Sequence, residues 1–194
     1  MKPRIQFQQQ ITVLTNKYEI SEADSNTPLA FAEQAKMKIR EKISFYRDSQ
    51  KTELLFTFRA EKVMDIHGNY FIEDQNGILI GSFRKDFGRS LFSSTWLVSD
   101  ASGNLVFTFA EENAALAVLR RISDFIPFVG ELIKFFPYHF AITAGSSSQK
   151  VGRFAKTAVV RDRYLMSLED EAWEKLDARV FMAIGVGLDA LQSR

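Results

Sequence analysis

The chain has 194 residues, 46% of them apolar and 25% charged, which fits one domain with a sizeable core. Twenty-five basic residues against 24 acidic ones leave a net charge of +1, so no global field draws the protein to nucleic acid or membrane. The absence of cysteine excludes disulfides, thiolate metal sites and a cysteine nucleophile, and two histidines are too few for a multi-histidine metal centre.

The opening stretch, MKPRIQFQQQITVLTNKYEI, lacks the continuous apolar run and small-residue cleavage site of a signal peptide, so a cytoplasmic location is the default expectation. From Tyr18 onward the sequence is periodic. The segment YFIEDQNGILIGSF (70–83) returns 26 residues later as WLVSDASGNLVFTF, matching Asp74 to Asp100, Gly77 to Gly103, Leu79 to Leu105 and Phe83 to Phe109. Period-two alternation marks half-buried strands. Asp-x-x-Gly suits a type I turn followed by a left-handed glycine, which closes a short hairpin loop with a bulge. With Ile72 and Val98 as marks, steps of 26 residues backward reach Tyr46 and Ile20, followed two positions on by Asp48 and Glu22. An aromatic precedes the mark by two positions at Tyr18, Tyr70 and Trp96, whereas Ser44 breaks that pattern. The ruler resumes at Ile142 and ends at Leu168, and VGRFAK (151–156) repeats IGSFRK (80–85). Between Val98 and Ile142 the step is 44 residues, so a segment of about 18 has been inserted into the series.

Three stretches depart from strand character. AEQAKMKIREK (32–42) has the composition of a short helix between hairpins. ENAALAVLRRISDFIPFVGELIKFF (112–136) opens with Leu116, Leu119, Ile122 and Phe125 at helical spacing before Pro127 interrupts it. The third is the C-terminal segment from Asp177 to about Gln192. Within it, VFMAIGVGL (180–188) is apolar on every side between Arg179 and Asp189, and is too short to span a bilayer. The segment 114–136 is broken by charges, so no transmembrane span is expected.

Twenty-six residues hold two strands, and a propeller blade needs four, so a closed meander of ten to twelve strands fits better. Closure also removes unpaired edges. A barrel that wide is not filled by its own side chains, and a helix apolar all round must be buried all round. The last helix is therefore expected to thread the barrel, with Gly185 and Gly187 where strands approach it closely. The expected fold is mainly β: a closed antiparallel barrel with a buried C-terminal helix. It forms a single domain over 1–194, with a helical insertion at about 112–136 and the central helix at about 177–192.

The repeated hairpins, the PYHFAI and RDRYLMSL strands, and the closing DARVFMAIGVGLDALQSR with Asp177, Arg179 and Asp189 resemble the LURP-one-related and phospholipid-scramblase-like proteins. These belong to the tubby C-terminal-like superfamily, and the likeness runs from about Tyr18 to Arg194. It implies twelve strands around a hydrophobic C-terminal helix. Within that superfamily, tubby domains bind phosphoinositide headgroups through surface basic residues and scramblases act at membranes, so the resemblance implies lipid headgroups or a membrane surface as candidate contacts. The acidic SLEDEAWEKLD (167–177) lacks the alternating oxygen spacing of a calcium loop, so the calcium site of scramblases does not carry over.

Nothing in the sequence reads as catalytic. His67 belongs to a Gly-Asn turn, His139 to a strand, and GSSSQK (145–150) to a hairpin tip; no phosphate-loop or dinucleotide motif occurs. No enzyme activity, cofactor or metal is expected. Basic residues gather as Arg84, Lys85 and Arg89, as Arg120 and Arg121, and as Lys150, Arg153, Lys156, Arg161 and Arg163. Each cluster reads either as a solvated face or as an anionic-headgroup site, and for the third the acidic run 169–177 offers internal ion pairs. The inserted segment joins large apolar side chains to Arg120, Arg121 and Lys134, the mixture of an interfacial helix, against the plainer reading of a cap on one barrel mouth. The leading expectation is a module that meets anionic lipid or a membrane surface peripherally, through Arg120, Arg121, Lys134, Arg84, Lys85 and Arg89. The alternative is a soluble interaction or regulatory domain that docks a protein partner; lipid processing ranks last. Nucleic acid is not an expected partner.

Overall fold

Alternating apolar residues and turn-forming aspartates build a ring of hairpins. The computed structural model describes residues 4–11, 15–35, 42–60, 68–89, 94–112, 139–158 and 162–192. Strands β1 (Arg4–Ile11), β2 (Thr15–Glu22), β3 (Pro28–Ala35), β4 (Lys42–Tyr46), β5 (Leu54–Ala60) and β6 (Asn69–Asp74) are followed by β7 (Leu79–Lys85), β8 (Thr95–Asp100), β9 (Leu105–Glu111), β10 (His139–Ala144), β11 (Lys150–Ala158) and β12 (Arg163–Leu168). Each pairs antiparallel with its chain neighbour, and β1 pairs with β12, so the twelve described strands close into a barrel. A one-turn helix, α1 (Asp170–Trp173), and a longer helix, α2 (Ala178–Gln192), complete the chain.

The 26-residue ruler has a physical basis in the turns. Asp74 Oδ1 accepts the amides of Asn76 at 2.8 Å and Ile78 at 2.9 Å; Asp100 Oδ1 accepts those of Ser102 at 2.9 Å and Asn104 at 2.8 Å. Asp48 does the same with Gln50 at 2.9 Å and Thr52 at 3.4 Å. Gly77 and Gly103 have φ of +80° and +84°, and the register slips beside each turn, as a type I turn with a bulge requires. Lys51 holds the matching position in the β4–β5 turn with φ of +61°. One mark is displaced: in β4 the inward residues are Ile43 and Phe45, while Tyr46 is half-buried at a register shift. This explains why Ser44 broke the aromatic pattern.

Inward-facing Phe7, Tyr18, Phe45, Phe58, Phe83, Phe109, Phe140 and Phe154 line the core. α2 fills what remains, with residues 180–190 buried throughout. A Cβ at Gly185 would stand 2.3 Å from Phe7 Cζ, and one at Gly187 would stand 2.8 Å from Phe83 Cζ. Phe7 lies on β1 and Phe83 on β7, opposite sides of the ring, so the helix runs inside the barrel. Glycine here admits aromatic rings against the helix backbone. Each such ring contributes about 1.5–3 kcal/mol when fully buried. Asp177 caps the helix: its Oδ1 accepts the Arg179 amide at 2.9 Å, and the Arg179 guanidinium returns to both carboxylate oxygens. That pairing holds the Asp177 carboxyl below its ordinary pKa.

The expected helix at 32–42 is corrected at both ends. Residues 32–35 belong to β3 and Lys42 opens β4. Ala30, Ala32 and Gln34 point inward, so period-two burial and ladder pairing override a helix-forming composition. Residues 36–41 lie outside the described residues, as do His67 and the expected helical insertion beyond Glu112.

Candidate functional site

Antiparallel closure gives the barrel two unlike ends. One end carries the tight turns at 23–27, 47–53, 75–78, 101–104 and 145–149, together with the start of α2. The other carries the connections 12–14, 36–41, 61–68, 86–94, 112–138 and 159–162, together with the end of α2. Of the sequence-expected anion residues, Arg84, Lys85 and Arg89 fall at this second end. Arg120, Arg121 and Lys134 lie outside the described residues, on the connection that leaves β9 and enters β10 at the same end.

Strand alternation separates two of the neighbours. Arg84 is exposed on the outer wall. Lys85 pairs directly with Trp96 and is half-buried, its Nζ 5.8 Å from the indole ring centroid. Arg89 is exposed, with Nε 3.7 Å from Asp86 Oδ2. Between Arg84 and Arg89 stands a residue that sequence reasoning passed over. Phe87 is 45% exposed, in a turn where Asp86 Oδ1 accepts the Arg89 amide at 3.1 Å. The signal was present in RKDFGR, where an aromatic sits on an Asp-x-Gly turn between cations.

The third basic cluster is spent largely on internal pairs. Lys150 and Arg153 both engage Glu112, at 2.7 and 2.8 Å. Partial burial pulls the Glu112 carboxyl upward, but the donors from Lys150 and Arg153 outweigh it and leave the group below its ordinary range. Lys156 faces inward over Tyr164 and pairs with Asp162, and Arg163 reaches Gln8 Oε1 at 3.4 Å. Arg161 lies outside the described residues. Among the described residues the acidic run 169–177 supplies no partner to this cluster; Asp177 turns instead to Arg179.

Inside the second end, α2 presents Asp189 to two tyrosines. Tyr18 Oη donates to Asp189 Oδ2 at 2.9 Å, Tyr164 Oη donates to Oδ1, and Gln9 Nε2 donates to Tyr18 Oη at 3.1 Å. Burial raises the Asp189 carboxyl above its ordinary pKa, although the tyrosine donors lower it. Burial and the facing carboxylate push both tyrosines upward, so they stay protonated donors. The cluster fixes where α2 stops within the barrel, because sliding the helix one turn would strand a buried carboxylate.

Among the described residues no group of three or more histidine, aspartate or glutamate side chains could hold a metal ion. No described helix is long and apolar enough to cross a membrane. A family model described as LURP-one-related matches residues 8–189. A search of curated proteins returns no match.

Proposed function

The chain belongs to the LURP-one-related family, and on that premise we propose that it is a non-enzymatic binding module whose connection-bearing end meets anionic lipid headgroups. The observation that carries this reading is Phe87, 45% exposed between the exposed Arg84 and Arg89. A ring that enters the headgroup layer beside cations that meet its charge is the chemistry of an interfacial contact. The barrel supports it as a rigid scaffold: α2 occupies the interior, so a ligand as large as a lipid surface meets connections and outer walls. Burying one phenylalanine contributes about 1.5–3 kcal/mol and each cation about 1 kcal/mol at an anionic surface, so binding is weak, reversible and salt-dependent.

The test is co-sedimentation with vesicles of phosphatidylcholine alone and of phosphatidylcholine with phosphatidylserine, at low and high salt. Sedimentation is expected only with anionic vesicles at low salt. The Arg84→Glu/Arg89→Glu variant is expected to lose it while keeping its melting temperature. Background sedimentation throughout, or equal binding to neutral vesicles, would overturn the proposal. A protein-docking role is the second reading, favoured by Ile78 at 62% and Leu79 at 37% exposure on the opposite end. It gains if vesicles fail and Ile78→Asp abolishes a partner's binding.

A further inference from the structure

The outer wall of β1–β3 carries a cavity of about 390 Å³, roofed by the β4–β5 turn. Its lining alternates outward as strands dictate: Gln6 and Ser21 stand opposite each other in register, as do Gln8 and Glu19, and Glu19 faces Phe31. Phe31 points away from the barrel core yet is only 6% exposed, so it supplies an apolar floor beneath the turn. The charges around it are largely committed. Arg47 gives two donors to Glu53, at 2.5 and 3.1 Å, and Glu19 Oε1 accepts Gln10 Nε2 at 3.1 Å. Among the described residues the Gln6 carboxamide and the Ser21 hydroxyl have no side-chain partner, and Gln8 has only the long contact from Arg163 at 3.4 Å.

We propose that this groove is a binding site for a neutral polyhydroxylated ligand, a sugar ring or a polyol. Carboxamides and hydroxyls each offer donors and acceptors together, and the ligand groups that match both at once are hydroxyls. An anion would use only the donors and would meet the Glu19 and Asp48 carboxylates; a cation would use only the acceptors and would leave the carboxamide N–H groups of Gln6 and Gln8 unmatched. A sugar ring also has an apolar face to lay against Phe31. The cavity falls within the roughly 300–1,000 Å³ common for small-molecule sites. It lies across the ring from β7, so it goes beyond the lipid-facing reading and is independent of Arg84 and Arg89.

The experiment is a side-chain amide NMR titration of the ¹⁵N-labelled full chain with maltose, cellobiose and myo-inositol, and with inorganic phosphate as the anionic control. Saturable shifts of the Gln6 and Gln8 amide groups are expected with at least one of the three polyols and not with phosphate. Gln6→Ala is expected to weaken that binding about tenfold, the scale of one lost hydrogen bond, while its backbone spectrum stays native. Arg84→Glu/Arg89→Glu is expected to bind as wild type. No shift with any of the three polyols, shifts with phosphate instead, or wild-type affinity in both Gln6→Ala and Gln8→Ala would overturn the proposal.

Discussion

The two ends of the barrel share the same twelve strands and the same central helix, but different forces shape them. At the turn end, Asp48, Asp74 and Asp100 bind the turn amides in the same way, and Gly77 and Gly103 take the same left-handed conformation. Local chemistry sets each turn and spacing copies it. At the connection end the joints range in length from residues 12–14 to residues 112–138, and among the described residues the inward layer turns polar with Gln9, Gln34, Glu111 and Asp189. The repeated turns close hairpins, and the proposed lipid-facing residues Arg84, Phe87 and Arg89 stand at the other end, where longer connections leave the scaffold.

The largest expected effect removes the comparison altogether, because both ends depend on α2. Ile184 is fully buried, and Ile184→Asp places an unpaired charge in the core at a cost of several kcal/mol, against a typical total stability of about 5–15 kcal/mol. Loss of cooperative thermal unfolding by circular dichroism is expected; a soluble variant with a sharp transition would refute the threaded helix.

The next effect belongs to the turn end alone. Gly77→Val and Gly103→Val each force a β-branched residue into positive φ, for roughly 1–3 kcal/mol apiece. Urea unfolding is expected to show similar losses in the two variants, and about their sum in the double variant. Unequal losses would mean that the hairpins are not equivalent units.

The smallest effect is at the connection end, and pH reveals it. Because the folded-state pKa of Asp189 is raised, its favourable contribution is fully present below the ordinary carboxyl range, about 4, and is lost as pH rises through the raised value. Asp189→Asn removes that dependence. The stability of the variant minus that of wild type is therefore expected to climb with pH above about 4 and to be flat below it. A difference that is constant across the titration would show that Asp189 is not raised.

Legibility in the sequence follows the same division. The hairpins could be read because Asp-x-x-Gly turns act locally and write themselves at a fixed period, and α2 because apolarity on every side has one structural solution. β1 escaped: its inward residues are Ile5, Phe7 and Gln9, and a buried glutamine satisfied by Tyr18 looks like a surface residue in the sequence. Residues 32–35 carried helix propensity into a strand, where Ala32 and Gln34 sit on the core-facing side. How the basic residues are arranged in space was not legible, for a geometric reason. Adjacent residues on a strand face opposite ways, so Arg84 and Lys85 form no patch, and Lys156 turns inward to Asp162. Phe87 was overlooked because one exposed aromatic leaves no periodic trace.

Fluorescence of tryptophan placed at each end in turn tests the functional asymmetry most directly. Phe87→Trp puts the probe at the connection end, and Ile78→Trp puts it at the tip of the β6–β7 turn, each read as a difference from wild type, which keeps Trp96 and Trp173. On adding phosphatidylserine-containing vesicles at low salt, a blue shift and gain in intensity are expected for Phe87→Trp and no change for Ile78→Trp. A shift at position 78 with none at 87 would contradict the account, because the lipid would then meet the turn end.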